Sequence, residues 1–280
     1  GGLAVPSFVH FVTGARKAKW LPGRARGEVI GALAMTEPGA GSDLRGVSTT
    51  AKKVEGGYIV NGAKTFISSG KTADLIVTFV KTGEGNRPDA FSLILIENGM
   101  EGFEHGKKLH KMGFQGHDTA ELSFSDVFVP DANLIGGAEG HGFVQLMKNL
   151  PLERLTIGVA AASAAQAGLE WTLEYVKTRE AFGERIADFQ NTRFRLADIA
   201  TTVDVMWAYT DRAIALYGEG KLTPEEAAKL KFWTTEREWE VLDTCVQLHG
   251  GYGYITEYPI ARAFLDARVH RIYGGTNEIM

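Results

Sequence analysis

Several stretches of this sequence carry side chains suited to chemistry. Met35-Thr36-Glu37-Pro38-Gly39-Ala40-Gly41-Ser42-Asp43 follows a short apolar run. Its glycines let backbone N–H groups approach an anion closely, and Ser42 adds a hydroxyl donor. The same spacing also suits an ordinary Gly-Pro turn. It is not a Rossmann fingerprint, because no helix of a βαβ unit follows. Leu150-Pro151-Leu152-Glu153-Arg154-Leu155 sets a carboxylate beside a guanidinium, which reads as a general base with a cationic neighbour or as a solvated pair. Arg179 offers a charge-assisted fork suited to phosphate, or a plain surface cation. Gly250-Gly251 caps a helix end in either reading, and the adjoining His249 is a histidine of the kind satisfied locally. Cys245, the only cysteine, lies among Val241, Leu242 and Val246 and reads as a small core residue, with no disulfide framework possible within the chain.

Two textures must position these groups. From about residue 29 to 133 the chain reads as strands and turns. Ile59-Val60-Asn61-Gly62, Leu75-Ile76-Val77-Thr78-Phe79-Val80 and Phe91-Ser92-Leu93-Ile94-Leu95-Ile96 are β-branched and aromatic runs, and Gly56-Gly57 and Gly83-Glu84-Gly85-Asn86 punctuate them. No helical segment separates consecutive strands, which predicts an antiparallel sheet. From Gly142 onward the period becomes helical. Phe194, Ile199, Val203, Met206, Trp207, Ile214 and Tyr217 mark one buried stripe. Thr223-Pro224-Glu225-Glu226 is a capping box. The expected architecture is α+β: an antiparallel β-barrel-like middle domain (29–133) followed by a C-terminal helical bundle (134–280). Residues 1–28 read as the remnant of an N-terminal helical domain ending at Leu21-Pro22-Gly23.

With 44% hydrophobic and 23% charged residues over 280 positions and a net charge of −4, the balance is that of a globular protein with no basic field for nucleic acid. No apolar run approaches the ~20 residues that span a bilayer. Nothing in the pattern suggests a metal site. The chain starts with Gly1-Gly2 and ends at Met280, and it reads as a fragment.

The complete string from Met35 to Asp43 resembles the flavin-loop signature of the acyl-CoA dehydrogenase family. Further motifs match in order. Asn61-Gly62-Ala63-Lys64-Thr65-Phe66-Ile67-Ser68-Ser69-Gly70 is similar to the family's second flavin strand, with Phe66 and Ser68 where Trp and Thr are common. Lys177-Thr178-Arg179-Glu180-Ala181-Phe182-Gly183 with Gln190 resembles the segment that reaches a neighbouring subunit's FAD, and Gln247-Leu248-His249-Gly250-Gly251-Tyr252-Gly253 resembles the helix end contacting the same cofactor. The resemblance implies FAD contacts from Met35, Thr36, Gly41, Ser42, Phe66, Ile67, Ser68, Arg179, Phe182, Gln190, Gln247, Leu248, Gly250, Gly251, Thr276, Asn277 and Glu278. It implies acyl-CoA contacts from Ser42, Arg154, Gly274 and Gly275.

Removing hydrogens from Cα and Cβ of an acyl thioester needs a base for the α-proton, a hydride acceptor at Cβ and donors to the thioester oxygen. Many family members carry the base in a C-terminal Tyr-Glu-Gly-Thr motif. Here that string is Tyr273-Gly274-Gly275-Thr276, and Gly274 cannot act as a base. Long-chain and isovaleryl-type members instead place a glutamate where Glu153 stands, with a small residue at the other site. The resemblance therefore implies Glu153 as the base, with the Gly274 N–H and a flavin ribityl hydroxyl polarising the carbonyl. It further implies electron-transferring flavoprotein as acceptor, a homotetramer, and a cytoplasmic (bacterial) or mitochondrial-matrix (eukaryotic) setting. Medium- or long-chain fatty acyl-CoA, in β-oxidation, is the expected substrate, the resemblance being closest to the long-chain type. The alternatives are an isovaleryl or branched short-chain dehydrogenase, an oxidase of the same fold, and a non-catalytic binding protein.

Overall fold

The apolar runs at 75–80 and 91–96 become β4 (Leu75–Lys81) and β5 (Phe91–Glu97), buried along nearly their whole lengths in the computed structural model, which describes residues 14–280. The sheet also contains β1 (Gly31–Ala34), β2 (Thr50–Val54), β3 (Gly57–Ser68), β6 (Phe103–Lys108) and β7 (Thr119–Pro130). Its order is β1-β4-β2-β3-β7-β6, with β5 on the other edge of β4. Alternation along β4 sends Ile76 and Val80 to one core, while Leu75, Val77 and Phe79 enter another. The second core also takes Trp20 and Leu21 of α1 (Gly14–Ala25) and Leu146.

The sheet is mixed where the sequence predicted antiparallel pairing, because β1 runs parallel to β4, with Gly31 opposite Leu75 and Ala34 opposite Thr78. The long stretch between them, including the β2–β3 hairpin, supplies the crossover that parallel pairing needs without a helix. The first helix also departs from expectation, continuing through Leu21-Pro22-Gly23 to Ala25. Packing of Trp20 and Leu21 on the sheet core holds it, and the Pro22 and Gly23 carbonyls accept from Arg26 and Glu28 at 3.1 and 2.9 Å. Residues 1–13 of the expected N-terminal remnant lie outside the described residues.

The helical elements are α2 (Gly142–Thr178), α3 (Gln190–Gly218), α4 (Pro224–His249) and α5 (Pro259–Ala267). Their core joins Ala161, Ala165, Ile199, Val203, Met206, Leu242, Cys245 and Ile260. Thr223 caps α4 as predicted, its hydroxyl accepting from the Glu226 N–H at 3.2 Å, and Gly250 (φ +57°) closes the helix. The stripe on α3 is narrower than the sequence suggested. Ile199, Val203 and Met206 are buried, but Phe194, Ile214 and Tyr217 are exposed. At ~100° per residue, Phe194 stands ~120° off the Met206 direction, Ile214 sits at the margin of the buried stripe, and Tyr217 falls in the last turn. The chain divides into two compact units: residues up to Lys111 with Gln115–Asn149, and Met112–Phe114 with Leu150–Met280. No helix among the described residues is long and apolar enough to cross a membrane, and no described cluster of His, Cys, Asp and Glu is arranged to hold a metal.

Candidate active site

In the sheet unit, the loop after β1 is shaped by a buried ion pair. Lys64 Nζ donates to Glu37 Oε1 at 2.8 Å and to the Met35 carbonyl at 2.9 Å. Glu37 also accepts from Ser48 N–H and Oγ, both at 2.7 Å, and from Thr49 N–H at 3.0 Å. Burial alone would raise the Glu37 carboxyl; the Lys64 charge and these hydrogen bonds overcome it and hold it down at about 2. A Thr65 N–H to Thr36 carbonyl bond of 2.9 Å then lays the loop along β3. Met35 and Thr36 are thereby held against Lys64 and Thr65, the residues that precede Phe66, Ile67 and Ser68 in β3.

Within β3 the pairing with β7 slips between Lys64 and Ile67. Such an irregularity re-aims a side chain. Phe66 there adopts φ +58° and is 67% exposed, while Ile67 turns inward and is buried. A bulky residue in left-handed backbone that gains no burial is strain without a folding return. Glu37 and Lys64 were not singled out from sequence, although both lie within the quoted motifs.

In the helical unit, Pro151 lacks an N–H and interrupts the ladder of α2 two residues before Glu153. Glu153 makes no side-chain hydrogen bond among the described residues, and burial raises its carboxyl against the opposing charge of Arg154. Arg154 Nε donates to the Gly274 carbonyl at 3.3 Å. Gly274 has φ +66°, and a Cβ built on it would lie 2.5 Å from Ile157 Cδ1 and 3.9 Å from Glu153 Oε1. A side chain at position 274 would therefore sit in strained backbone and would have to displace the Ile157 methyl beside the Glu153 carboxylate. No acceptor among the described residues meets the Gly274 or Gly275 N–H.

The predicted residues after Gly274 behave differently from one another. Glu278 is exposed, and its own backbone N–H and the Thr276 hydroxyl lower its carboxyl. Asn277 is buried, and its amide is committed to the protein, bonding Lys231, Thr235 and Glu236. Its side chain is not free to face a ligand. Arg179, Gln247, Leu248, Gly250 and Gly251 are gathered around one groove of about 700 Å³ with Tyr175, Tyr252 and Ile255. Glu153 and Gly274 do not line that groove. Phe182, at a hairpin tip with φ +54°, is 97% exposed, and Gln190 is exposed at the start of α3. His249 is buried with Nδ1 2.8 Å from the Cys245 carbonyl, and burial pushes the Cys245 thiol up to about 11.

Comparison with known proteins identifies the family of the chain. The model of the acyl-CoA dehydrogenase middle domain matches residues 32–127, and that of the C-terminal domain matches residues 140–280. The chain is 46% identical to the mitochondrial long-chain specific acyl-CoA dehydrogenase of Mus musculus, over 99% of this chain and 65% of that protein. It is 38% identical to the mitochondrial isovaleryl-CoA dehydrogenase of Arabidopsis thaliana, over 99% of this chain and 68% of that protein. An acyl-CoA dehydrogenase structure from Geobacillus kaustophilus superposes with a TM-score of 0.96 at 46% identity, covering 98% of this chain and 73% of that one. The FAD complex of PigA gives 0.93 at 30% identity, covering 99% and 70%. The chain thus spans about 65% of the length of the mouse relative, and it belongs to the acyl-CoA dehydrogenase family.

Proposed function

We propose that the protein is an FAD-dependent dehydrogenase that converts acyl-CoA thioesters to trans-2-enoyl-CoA, acting on medium- or long-chain fatty acyl groups in β-oxidation. The observation that carries this reading is the pairing of a half-buried Glu153, with no side-chain hydrogen bond among the described residues, with a position 274 whose left-handed backbone and nearby Ile157 methyl disfavour a side chain. A carboxylate whose ionised form is disfavoured by burial is a stronger base than one in water, suited to an α-proton next to a thioester.

FAD, when bound, supplies the acceptor for the hydrogen and electrons that leave Cβ. Glu153 takes the α-proton. The unpartnered Gly274 N–H donates to the thioester oxygen as negative charge develops there, and Arg154 lies next to the same turn. Met35, Thr36, Gly41, Ser42, Phe66 and Ser68 would hold the cofactor from the sheet unit. The exposed, strained Phe66 and the open surroundings of Gly41 suit an aromatic ring and a close backbone approach. Ile67 would act through its neighbours, since its own side chain is in the core. Thr276 and Glu278 are the helical unit's own candidates for a flavin contact.

Arg179, Phe182, Gln190, Gln247, Leu248, Gly250 and Gly251 would serve the cofactor of a second subunit, in a homotetramer. The support is that Arg179, Gln247, Leu248, Gly250 and Gly251 line one groove that Glu153 does not line, and that Phe182 and Gln190 are exposed. In this division residues 29–133 bind flavin and acyl-CoA, 134–280 perform the dehydrogenation, and 1–28 belong to an N-terminal helical domain. Electron-transferring flavoprotein would reoxidise the enzyme, in the cytoplasm of a bacterium or the mitochondrial matrix of a eukaryote.

The test is anaerobic titration of the full-length, FAD-loaded protein with saturated acyl-CoAs of four to eighteen carbons and with isovaleryl-CoA. Bleaching of the flavin absorbance, strongest for long straight chains, is expected. The similarity to an isovaleryl-CoA dehydrogenase makes strongest bleaching by isovaleryl-CoA the competing outcome. No bleaching by any thioester would overturn the reading.

A further inference from the structure

Of the polar side chains buried on one face of α4, Thr234 bonds within the helix, and the other three are Lys231, Thr235 and Glu238, at spacings of four and three. All three receive the segment that carries Gly274. Lys231 Nζ donates to the Gly275 carbonyl and to Asn277 Oδ1, both at 2.7 Å. Thr235 Oγ1 accepts from Asn277 Nδ2 at 2.9 Å. Glu238 Oε2 lies 2.8 Å from His270 Nδ1, and the His270 ring stacks on Tyr273 at 5.5 Å. Glu236 Oε1 accepts from both Asn277 Nδ2 and Arg271 Nε at 2.8 Å.

The Lys231 side chain has no carboxylate directly on it; its acceptors are two neutral oxygens. A cation buried this way costs free energy that an apolar side chain would not. What it gains is geometry. With the Gly275 carbonyl fixed by Lys231 and the Gly274 carbonyl met by Arg154, both peptide planes after Gly274 are oriented; the left-handed turn at Gly274 (φ +66°) relates its own N–H to them, and Asn277 anchors the far end.

We propose that Lys231 is a positioning residue for the reaction: its buried ammonium fixes the turn at residues 274–277 so that the Gly274 N–H is aimed at the thioester carbonyl while Glu153 faces the α-carbon. This rests on the acyl-CoA dehydrogenase reading above. Burial lowers the ammonium to about 8; Arg154 and Arg271 push the same way, and Glu278 and Glu236 oppose them.

The test uses the full-length, FAD-loaded enzyme carrying Lys231→Met or Lys231→Gln, with two readouts per bound flavin. The first is the rate of flavin reduction by a saturated acyl-CoA. The second is the infrared carbonyl stretch of bound trans-2-enoyl-CoA, which reports polarisation by the turn and does not respond to a change in folding stability alone. Roughly a hundredfold slower reduction is expected, the scale of losing one oxyanion donor, with KM changed only a few-fold and the stretch moved toward its value in water. Reduction within about threefold of wild type, or slow reduction with an unshifted stretch, would overturn the proposal.

Should neither variant retain FAD, the wild-type enzyme decides. The stretch should relax toward its solution value as the ammonium is neutralised above a pH of about 8, and a stretch constant across that range overturns the proposal. Wild-type protein that no acyl-CoA reduces would instead remove the functional reading, and this inference with it. Active wild type with unaffected Lys231 variants removes this inference alone.

Discussion

Gly274→Ala isolates the geometric core of the site. The backbone at 274 has φ +66°, where an L-residue costs ~1–2 kcal/mol relative to glycine. The new Cβ would also meet Ile157 Cδ1 at 2.5 Å, too close for any real contact. Because that atom is the end of a flexible side chain, the overpacking penalty should fall near the lower end of its range, ~1–2 kcal/mol. The sum is about 2–4 kcal/mol, or roughly 5–15 °C in the melting temperature for a domain of this size. Thermal melting of the full-length, FAD-loaded protein would measure it. Ile157→Val removes the obstructing methyl at its own cost of ~0.5–1.5 kcal/mol. The double variant should be more stable than the two single losses added together, by about 1 kcal/mol. A Gly274→Ala variant melting within about 2 °C of wild type, or strict additivity with Ile157→Val, would refute the packing argument.

Other perturbations separate fold from function. Glu37→Gln should destabilise the protein by ~3 kcal/mol at neutral pH, the equivalent of its carboxyl's displacement from the ordinary value of 4.5 to about 2. That contribution is present above about pH 4.5 and lost as pH falls toward 2, so urea melts at pH 7 and pH 2.5 should differ in the size of the effect. Burial raises the folded-state carboxyl of Glu153, so its ionisation costs stability as pH rises above the ordinary carboxylate range. Glu153→Gln should therefore melt higher than wild type at pH 7.5, and the gain should vanish below pH 4.5; an unchanged or lower melting temperature at pH 7.5 would contradict the burial. Phe66→Gly relieves left-handed strain at an exposed position, so the FAD-free protein should be at least as stable as wild type. Equilibrium dialysis should show FAD held about tenfold more weakly, the scale of one aromatic contact.

Much of the candidate site's local geometry was legible because it lies in short motifs. The turn at Gly39 and Gly41, the capped start of α4 and the vacancy at Gly274 are each written in a short string. What stayed hidden depends on chain phase and on partners distant in sequence. Lys229 and Lys231 look alike in Lys229-Leu230-Lys231, but the helical period sends Lys229 to solvent and Lys231 inward. Its acceptors lie more than forty residues on, at Gly275 and Asn277. Asn277 drew attention as a cofactor contact, and only the fold shows its amide occupied by α4. Phe66 would pass for a core strand residue until the pairing slip beside it is seen. The parallel β1–β4 pair was equally invisible, because strand direction follows the crossover and not the strand's own residues.

The central claim is that Glu153 removes the α-proton. Stopped-flow reduction of the full-length, FAD-loaded Glu153→Gln variant by a long-chain acyl-CoA tests it most directly, since glutamine keeps the shape and discards the base. FAD content and acyl-CoA binding should remain close to wild type while flavin reduction slows by at least about a thousandfold. Reduction at an undiminished rate would take Glu153 out of the mechanism.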